Sequence, residues 1–405
     1  MKKTLAISSA KLHAVIIATI VLASPVAHAA VAYKWTGETD GDWQTAANWD
    51  PANGKPPSGG ASTSGDSLSV ENGSNHPLIY TEAEGQTLLN VFKINNGELT
   101  INGGTLILTN SNSTVSSIGN FHGGGKLNVN GGLLRFELWD TLYINENGPS
   151  NCVLTITGGT ISFFRMSLRG GTRGGSATFN LDGGLVELTQ PIPLHGTGNN
   201  AFNFNGGTLK ATTYNWPYST NDNANYAFNA SPANVRNGGA FIDTNGRTCH
   251  IQAGLCHSPV ADDAAIDGGL TKNGAGALIL MGANTYTGAT TVNAGTLTYA
   301  AGGEMHFALQ GDFTCNTIQG TGAVNFNGLF RINPPSGPSV YGDWQLVDVA
   351  SLTETFHATT FGLALADGAA FTQKGDGTYT SGGWKFNTAT GTLTHTPLGT
   401  LVTIR

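Results

Sequence analysis

Charged side chains are scarce in this sequence of 405 residues. Asp, Glu, Lys and Arg make up 11% of the chain, against roughly a quarter in an average globular domain. The 19 basic residues are outnumbered by 26 acidic ones, which gives a formal net charge of −7. Such a chain is a poor candidate for binding nucleic acid or an anionic membrane surface by charge alone. We therefore predict no nucleic-acid partner.

Long apolar runs are confined to the start of the chain. Three lysines flank or precede an apolar run over residues 12–23, and small residues at 27–29 offer a cleavage site. This order predicts a secretory signal peptide over residues 1–29, with a short membrane anchor as the alternative. No later segment is long and apolar enough to predict an integral membrane span. We expect an exported protein, extracellular or at the cell surface, with the periplasm as the alternative.

Cysteines are few, and two of them are close together in the sequence "CHIQAGLCH". A local disulfide between Cys249 and Cys256 fits an oxidising, secreted setting. Zinc binding by both cysteines with His250 and His257 is the alternative, but neighbours on a strand face opposite sides and do not readily share one ion. Buried thiols are the third possibility. The sequence indicates no metal site and no cofactor.

Glycine is abundant instead, with 57 residues, and it marks a repeat. Five segments align on a Gly-Gly pair, with first glycines 23 to 28 residues apart. Such a period is typical of a solenoid. The segments are "LTINGGTLIL" (99–108), "LNVNGGLLRF" (127–136), "LTITGGTISF" (154–163), "FNLDGGLVEL" (179–188) and "FNFNGGTLKA" (202–211).

Apolar and polar residues alternate on both sides of each glycine pair, as in half-buried strands. Like residues recur in columns, for example Leu99, Leu127, Leu154, Phe179 and Phe202, so copies stack in parallel. Glycine suits the bend because it enters positive φ without steric cost. We predict an all-β fold, a single-stranded parallel β-helix with terminal caps. The structural glycines are Gly103, Gly104, Gly131, Gly132, Gly158, Gly159, Gly183, Gly184, Gly206 and Gly207.

The domain organisation follows from this repeat. Residues 30–64 form a Trp-rich N-terminal cap and residues 65–335 the β-helix, with room for ten or eleven rungs. Less regular copies at 291–299 and 324–332 are expected to continue the same pattern. Residues 336–405 form a C-terminal β cap or a small β module. Capping is expected because solenoid ends expose strand edges.

One segment carries a family resemblance. "GGLTKNGAGALILMGANTYTGATTVNAGTL" (268–297) closely resembles the autotransporter-associated β-strand repeat of secreted bacterial passenger proteins. The resemblance implies a right-handed parallel β-helix of the pectin-lyase-like type, outside the cell of a Gram-negative or environmental bacterium. Autotransporters end in a translocator barrel, and we expect none in this chain because no tail of repeated amphipathic strands is present.

Chemical motifs are weak by comparison. The glycines around 274–276 do not fit a nucleotide-binding loop, since Ile279 stands where GxGxxG requires glycine. The arginines of "FRMSLRGGTRGG" and the doublet Asp262-Asp263 fall at apparent corners, where charges are usually solvated. The outward column Ile107, Arg135, Ser162, Glu187 and Lys210 is mixed rather than a line of carboxylates. No catalytic residues are therefore predicted.

Aromatic residues in a long polar insertion are the best candidates for binding: Tyr214, Trp216, Tyr218 and Tyr226. Insertions in a repeat carry function more often than the rungs do, although packing against the helix side is an equal alternative. We predict a secreted structural or adhesive β-helix that binds an extracellular glycan or a surface protein without catalysis. A pectin-lyase-like polysaccharide lyase or glycoside hydrolase is the first alternative. A self-associating matrix or filament subunit is the second.

Overall fold

A computed structural model describes residues 30–50, 52–57, 66–71, 76–109, 115–119, 123–137, 141–145, 148–170, 174–189, 199–212, 233–336, 339–352 and 355–398. Within these ranges the chain is built of β-strands, with two single-turn 3₁₀ helices at Ala46–Asn48 and Glu82–Glu84 and no α-helix. The predicted signal peptide, residues 1–29, lies outside the described residues.

The strands are short, mostly three to five residues. In chain order they are β1 (Ala32–Trp35), β2 (Ser67–Val70), β3 (Leu78–Tyr80), β4 (Gln86–Leu89), β5 (Val91–Ile94), β6 (Glu98–Ile101), β7 (Thr105–Leu108), β8 (Ser116–Ile118), β9 (Gly125–Val129), β10 (Leu133–Phe136), β11 (Thr141–Ile144), β12 (Cys152–Ile156), β13 (Thr160–Phe163), β14 (Arg165–Leu168), β15 (Ala177–Leu181), β16 (Leu185–Leu188), β17 (Asn200–Phe204), β18 (Thr208–Ala211), β19 (Ala233–Val235), β20 (Ala240–Asp243), β21 (Arg247–Ile251), β22 (Leu255–His257), β23 (Leu270–Asn273), β24 (Gly276–Leu280), β25 (Ala283–Asn284), β26 (Thr290–Val292), β27 (Thr296–Tyr299), β28 (Glu304–Ala308), β29 (Ile318–Gly320), β30 (Ala323–Phe326), β31 (Leu329–Asn333), β32 (Gly342–Gln345), β33 (Val347–Val349), β34 (Gly362–Leu365), β35 (Thr372–Gln373), β36 (Thr378–Ser381), β37 (Trp384–Asn387) and β38 (Thr392–His395).

Successive strands visit three sides of a parallel β-helix, and one circuit is called a rung below. Side 1 contains the sheets β1-β2-β5-β8-β11-β14 and β21-β24-β27-β30. Side 2 contains β3-β6-β9-β12-β15-β17-β19-β22 and then β25-β28-β31-β34. Side 3 is one continuous 11-stranded sheet from β4 to β33. The predicted parallel β-helix is thus confirmed. A third strand on side 1 is an addition, and it is present in the rungs that contain β5, β8, β11, β14, β21, β24, β27 and β30.

The predicted apolar columns are ladders inside the helix. On side 2, Leu99 pairs with Leu127 and then Leu154, followed by Phe179 and Phe202, and all are fully buried. The columns on side 3 stack in the same one-to-one register. Period-two alternation fixes this register, because a slip of one residue would turn every apolar side chain outward.

The two glycines of each pair meet different demands. The second glycine of the first four pairs has positive φ, between 67° and 71°, a region that L side chains rarely adopt. The first glycine lies against the rung before it. A Cβ on Gly131, for example, would come within 2.5 Å of the Asn102 carbonyl oxygen. In the fifth pair Gly206 has the positive φ and Gly207 makes the close approach.

The less regular copies use other corners of the helix. The five Gly-Gly copies lie between sides 2 and 3, here the 2–3 corner. Residues 290–299 instead join β26 on side 3 to β27 on side 1, the 3–1 corner, and residues 323–333 join β30 to β31 at the 1–2 corner. The expected alternation is present in both copies. They do not continue the columns of the Gly-Gly copies, because two strands joined at a glycine fit any corner.

Aromatic clusters cover both ends. At the N-terminal end the buried indoles of Trp35, Trp43 and Trp49 pack edge to face, with centroids 4.9 to 5.1 Å apart, and Trp43 contacts Tyr80. At the other end β33 and β34 extend sides 3 and 2, while β32 and β35–β38 form an antiparallel sheet. A cluster of phenylalanines lies against this sheet: Phe326, Phe330, Phe356, Phe361 and Phe386.

Candidate binding surface

In the N-terminal rungs, residues 78–211, only one of the connections between strands varies widely in length. In the five Gly-Gly copies the 2–3 corner is three residues long each time. The connection from side 3 back to side 2 varies in length instead, from residues 90–97 between β4 and β6 to residues 212–232 between β18 and β19. Insertions are therefore tolerated in the connection that leads from side 3 to side 2, which makes this connection the candidate binding surface.

The predicted binding aromatics, Tyr214, Trp216, Tyr218 and Tyr226, lie outside the described residues. Both flanks of their segment are described, and they lie on neighbouring strands, β18 on side 3 and β19 on side 2. Thr212 is fixed at the start, since its hydroxyl bonds Thr189 at 2.9 Å and its carbonyl accepts from Arg247 Nε at 3.2 Å. The segment thus begins and ends on well-paired strands of the helix.

A polar ladder follows the outer face of side 2. Asn128 donates to Thr100, Asn180 to Thr155, Asn203 to Asn180 and Asn234 to Asn203, at 2.7 to 3.3 Å. These side chains are half-buried and lock successive rungs together. Their donors and acceptors are largely used within the ladder, so this face favours stiffness over ligand binding.

Some charges on the described outer faces occur in pairs. Glu187 and Lys210 are 3.3 Å apart in the outward column of side 3. Arg236 makes two hydrogen bonds to Asp263, at 2.9 and 3.0 Å, and these lower the pKa of that carboxyl. The outward column of side 3 places Ser162, Glu187 and Lys210 side by side, so these residues do not form a line of carboxylates.

The arginine group of residues 165–173 is placed differently from the expectation. Arg165 lies on β14 rather than at a corner, because β14 is a side 1 strand that the glycine pattern does not reveal. Arg169 follows that strand and lies over the Tyr143 ring, 4.1 Å from its centroid. A guanidinium held on an aromatic face is stabilised by a cation–π interaction, and Arg173 lies outside the described residues.

Cys249 and Cys256 do not form the predicted disulfide. Cys249 points into the core beside Leu278 and is fully buried. Cys256 points outward at the end of the polar ladder, with its sulfur 3.9 Å from the Ala283 carbonyl oxygen. Side chains on opposite sides of the wall cannot bridge. His257 bonds Asp267 at 2.9 Å, so the described residues do not unite the cysteines and histidines at one ion.

Lys272, beside the glycines of "TKNGAG", is buried at the 3–1 corner. Its Nζ donates to the carbonyl oxygens of Asn273, Gly274 and Ala294 at 2.9, 2.7 and 3.0 Å. Burial lowers the pKa of this ammonium group. The lysine therefore closes the corner from inside and is not available to a phosphate.

Asp267 has a matching role that sequence reasoning missed. Its buried carboxylate accepts from the backbone N–H groups of Thr287, Gly288 and Gly269 at 2.8 to 2.9 Å. It ties the connection 258–269 to the next rung. The available signal was its position directly before Gly268-Gly269, where an aspartate commonly bonds local backbone.

Comparisons with known proteins agree with this architecture. Residues 270–298 match the family model described as the passenger-associated-transport-repeat. The adhesin BmaC autotransporter of Brucella suis biovar 1 (strain 1330) is 30% identical over 336 residues, which take in 78% of this chain and 9% of that protein. The chain thus spans less than a tenth of the length of this curated relative. No solved structure matches.

The resemblance predicted from residues 268–297 is confirmed, since the family model matches that same segment and the chain is similar to an autotransporter adhesin. The matched segment begins with β23 and ends in β27, so it contains the buried Lys272 corner. Among the described residues, no helix has the length and apolar character needed to cross a membrane.

Proposed function

We propose that this protein is a cell-surface adhesive segment, a stiff β-helix that presents loops to a glycan or protein partner and performs no catalysis. One observation carries the proposal. The 2–3 corner of the N-terminal rungs is constant in length, whereas the connection from side 3 back to side 2 varies in length up to residues 212–232. Constant rungs with variable insertions separate a scaffold from a binding surface.

The scaffold part of the proposal is supported by the side-chain ladders. Fully buried apolar columns and hydrogen-bonded Asn and Thr columns repeat at the strand spacing of ~4.8 Å. Eleven strands on side 3 then extend over about 50 Å. A rod of this kind holds its loops at fixed separations, which suits attachment to an extended partner.

The adhesive part is supported by the loop composition and by the relative. Residues 212–228 hold three tyrosines and a tryptophan in a polar setting. Aromatic side chains supply large contact areas at a small cost in conformational entropy. The curated relative is named an adhesin, and its similarity to this chain is consistent with the same role here.

Binding and turnover can be followed in one assay. The purified protein is incubated with neutral and acidic polysaccharides and with host surface proteins, and both retention and the release of unsaturated sugar ends are measured. We expect retention without cleavage. Turnover at enzyme-like rates on any polysaccharide would replace the proposal with the lyase or hydrolase alternative.

A matched pair of variants locates the contact. Replacement of Tyr214, Trp216, Tyr218 and Tyr226 by alanine is expected to lower retention at least tenfold. The control is Phe241→Thr on the outer face of side 3, where both stacked neighbours, Thr208 and Thr271, are already threonine. Equal loss in both variants would indicate a folding defect, and no loss in either would remove the loop from the proposed contact.

A further inference from the structure

We propose that a second ligand site lies at the 2–3 corner of the C-terminal rungs, residues 240–333, and that it takes a neutral, hydroxyl-rich glycan. The site is a groove lined by residues 308–311, at the end of β28, and by residues 333–336, 339 and 340, at the end of β31 and beyond it. The inference rests on the adhesive function proposed above, to which it adds a ligand class and a location separate from residues 213–232.

The groove is large enough for a short sugar chain and has uncharged walls. Its volume is about 560 Å³, within the range of about 300 to 1,000 Å³ typical of small-molecule sites. Gln310, Asn333, Ser336 and Ser339 supply amide and hydroxyl groups, and none of the described lining residues carries a charge. Such groups can donate to and accept from sugar hydroxyls without a charged counterpart.

Two exposed aromatic rings flank the groove. Phe313 follows the lining residues Gln310 and Gly311, and Tyr341 directly follows the lining residue Val340. Phe313 is 46% exposed and Tyr341 is 47% exposed. Among the described residues, no other Phe, Tyr or Trp side chain has so large an exposed fraction. Exposed aromatic side chains beside a groove are typical of ligand contact.

Both rings are supported from behind by other rings. Phe313 packs on Trp344 with centroids 5.4 Å apart, and Tyr341 packs on His395 at 4.7 Å. Trp384 joins the two halves, since it lies 5.7 Å from Trp344 and stacks on His395 at 3.9 Å. Trp344 and Trp384, in the middle of this series of rings, are buried, whereas Phe313 and Tyr341 at its two ends are exposed. The exposed rings are thus held in place before any ligand arrives.

The backbone at Phe313 is strained in a way that keeps its ring at the surface. Its φ is 68°, an outlier for a bulky residue. The turn is closed by Gln310 N–H donating to the Thr314 carbonyl at 2.9 Å, and Trp344 Nε1 donates to the Gln310 carbonyl at 2.9 Å. Strain of this kind persists where the surroundings enforce it, and it clusters at ligand sites.

Charge around the groove selects the type of glycan. Asp312 and Asp343 are the exposed charged residues next to the two rings, and both are acidic. Uronic acids and phosphates would be repelled here, whereas a neutral pyranose offers C–H faces to the rings and hydroxyls to the amides. An apolar peptide fits less well, because four of the ten described lining residues have amide or hydroxyl side chains.

The test is affinity electrophoresis of the full-length protein in gels containing galactomannan, mixed-linkage β-glucan or dextran, with polygalacturonate as the acidic probe. We expect retardation by at least one neutral polysaccharide and none by polygalacturonate. Phe313→Gly, which removes both ring and strain, and Tyr341→Ala should each weaken binding at least tenfold, while Tyr341→Trp should retain it. Tryptophan fluorescence reports whether Trp344 and Trp384 keep their native packing.

Ile266→Ala is the matched control, because Ile266 is 56% exposed but lies on a different connection. Neutral-glycan binding unchanged in both Phe313→Gly and Tyr341→Ala would overturn this site. If binding is instead lost on substitution of the aromatics in 213–232, the function proposed above stands and only this site fails. Retardation by polygalacturonate that depends on Tyr341 would overturn the assigned ligand class.

Discussion

In the N-terminal rungs the carbonyl groups of the tight corner accept from the backbone of the next rung. Leu133 N–H donates to Gly104, and Thr160 N–H donates to Gly132, both at 2.9 Å. In the C-terminal rungs the tight corner is the 3–1 corner, and side chains take part: Lys272 donates to three carbonyl oxygens and the Thr244 hydroxyl donates to Ala275 at 2.7 Å. Both arrangements satisfy the carbonyl groups of the corner. In the N-terminal rungs the donors are backbone N–H groups of the next rung, and in the C-terminal rungs the buried ammonium group of Lys272 is an additional donor.

The location of the long connections differs between the N-terminal and the C-terminal rungs, as does the location of the tight corner. In the N-terminal rungs they lead from side 3 back to side 2, whereas in the C-terminal rungs they lead from side 2 to side 3, as residues 258–269, 309–317 and 334–346. A corner closed by glycine contact or by a buried lysine has no room for insertions. The position of the tight corner therefore decides which face of the rod can carry loops, and the two halves present theirs on different faces.

The largest effect is expected where a Cβ would separate two N-terminal rungs. Gly159→Ala places a methyl group within 2.6 Å of the Gly131 carbonyl carbon, at φ 68°. Left-handed strain of about 1–2 kcal/mol and overpacking of about 1–3 kcal/mol then add to about 3–4 kcal/mol lost from the free energy of unfolding, measurable by denaturant titration.

Gly246→Ala is the matched control at the corner of the C-terminal rungs. Gly246 has φ 77°, but an added Cβ would have no neighbour within 4 Å. Only the left-handed strain remains, about 1–2 kcal/mol. Equal losses in the two variants would show that φ alone, and not contact between rungs, requires the glycine pair.

The second effect tests the lysine of the other half. Lys272→Met keeps most of the volume but leaves the corner carbonyls without the ammonium group. Unsatisfied buried acceptors cost about 1–3 kcal/mol, so we expect a loss of about 2–3 kcal/mol. Lys210→Met, which breaks a half-exposed pair with Glu187, should change stability by no more than about 0.5 kcal/mol. A neutral Lys272→Met would mean that water replaces the ammonium group.

Much of the fold could be predicted from the sequence because each glycine pair fixes the register of the strands beside it. Leu99 and Leu127 align in sequence and pair in the structure. Side 1 strands such as β14 could not be predicted, since no glycine pair precedes them and their spacing varies. The corner of residues 290–299 could not be assigned either, because all three corners make the same demand on the chain.

The candidate sites were less accessible to sequence reasoning. The disulfide of Cys249 and Cys256 was predicted from their closeness in the chain. The direction in which each side chain points depends on strand register, and this places one thiol inside the helix and the other outside. Phe313 and Tyr341 carry no local signal, since the Phe313 ring packs on Gly342 and Trp344 from a later segment of the chain and Tyr341 packs on the still later His395. The aromatic insertion around Trp216 stays a prediction.

The third effect concerns the polar ladder of the N-terminal rungs. Asn203→Ala removes one hydrogen bond to Asn180 and one from Asn234, both 2.7 Å long. For half-exposed groups we expect a loss of about 1 kcal/mol. Asn325→Ala, at an exposed position on β30 in the C-terminal rungs, should be nearly neutral. If both substitutions have the same effect, the ladder adds nothing beyond strand propensity.

The smallest effect is a pH dependence confined to the C-terminal corner. Burial lowers the pKa of Lys272 in the folded protein below its ordinary value. Below the folded pKa both states carry the proton, so the burial penalty is constant. Between the folded and the ordinary pKa the unfolded chain binds more protons, and the free energy of unfolding therefore rises with pH.

The stability difference between the wild-type protein and Lys272→Met, measured from pH 7 to pH 10.5, should shift in favour of the wild type as pH rises. A difference that is flat or falls would show that the ammonium form is fully compensated by its three carbonyl partners, and that the lysine closes its corner without a desolvation penalty.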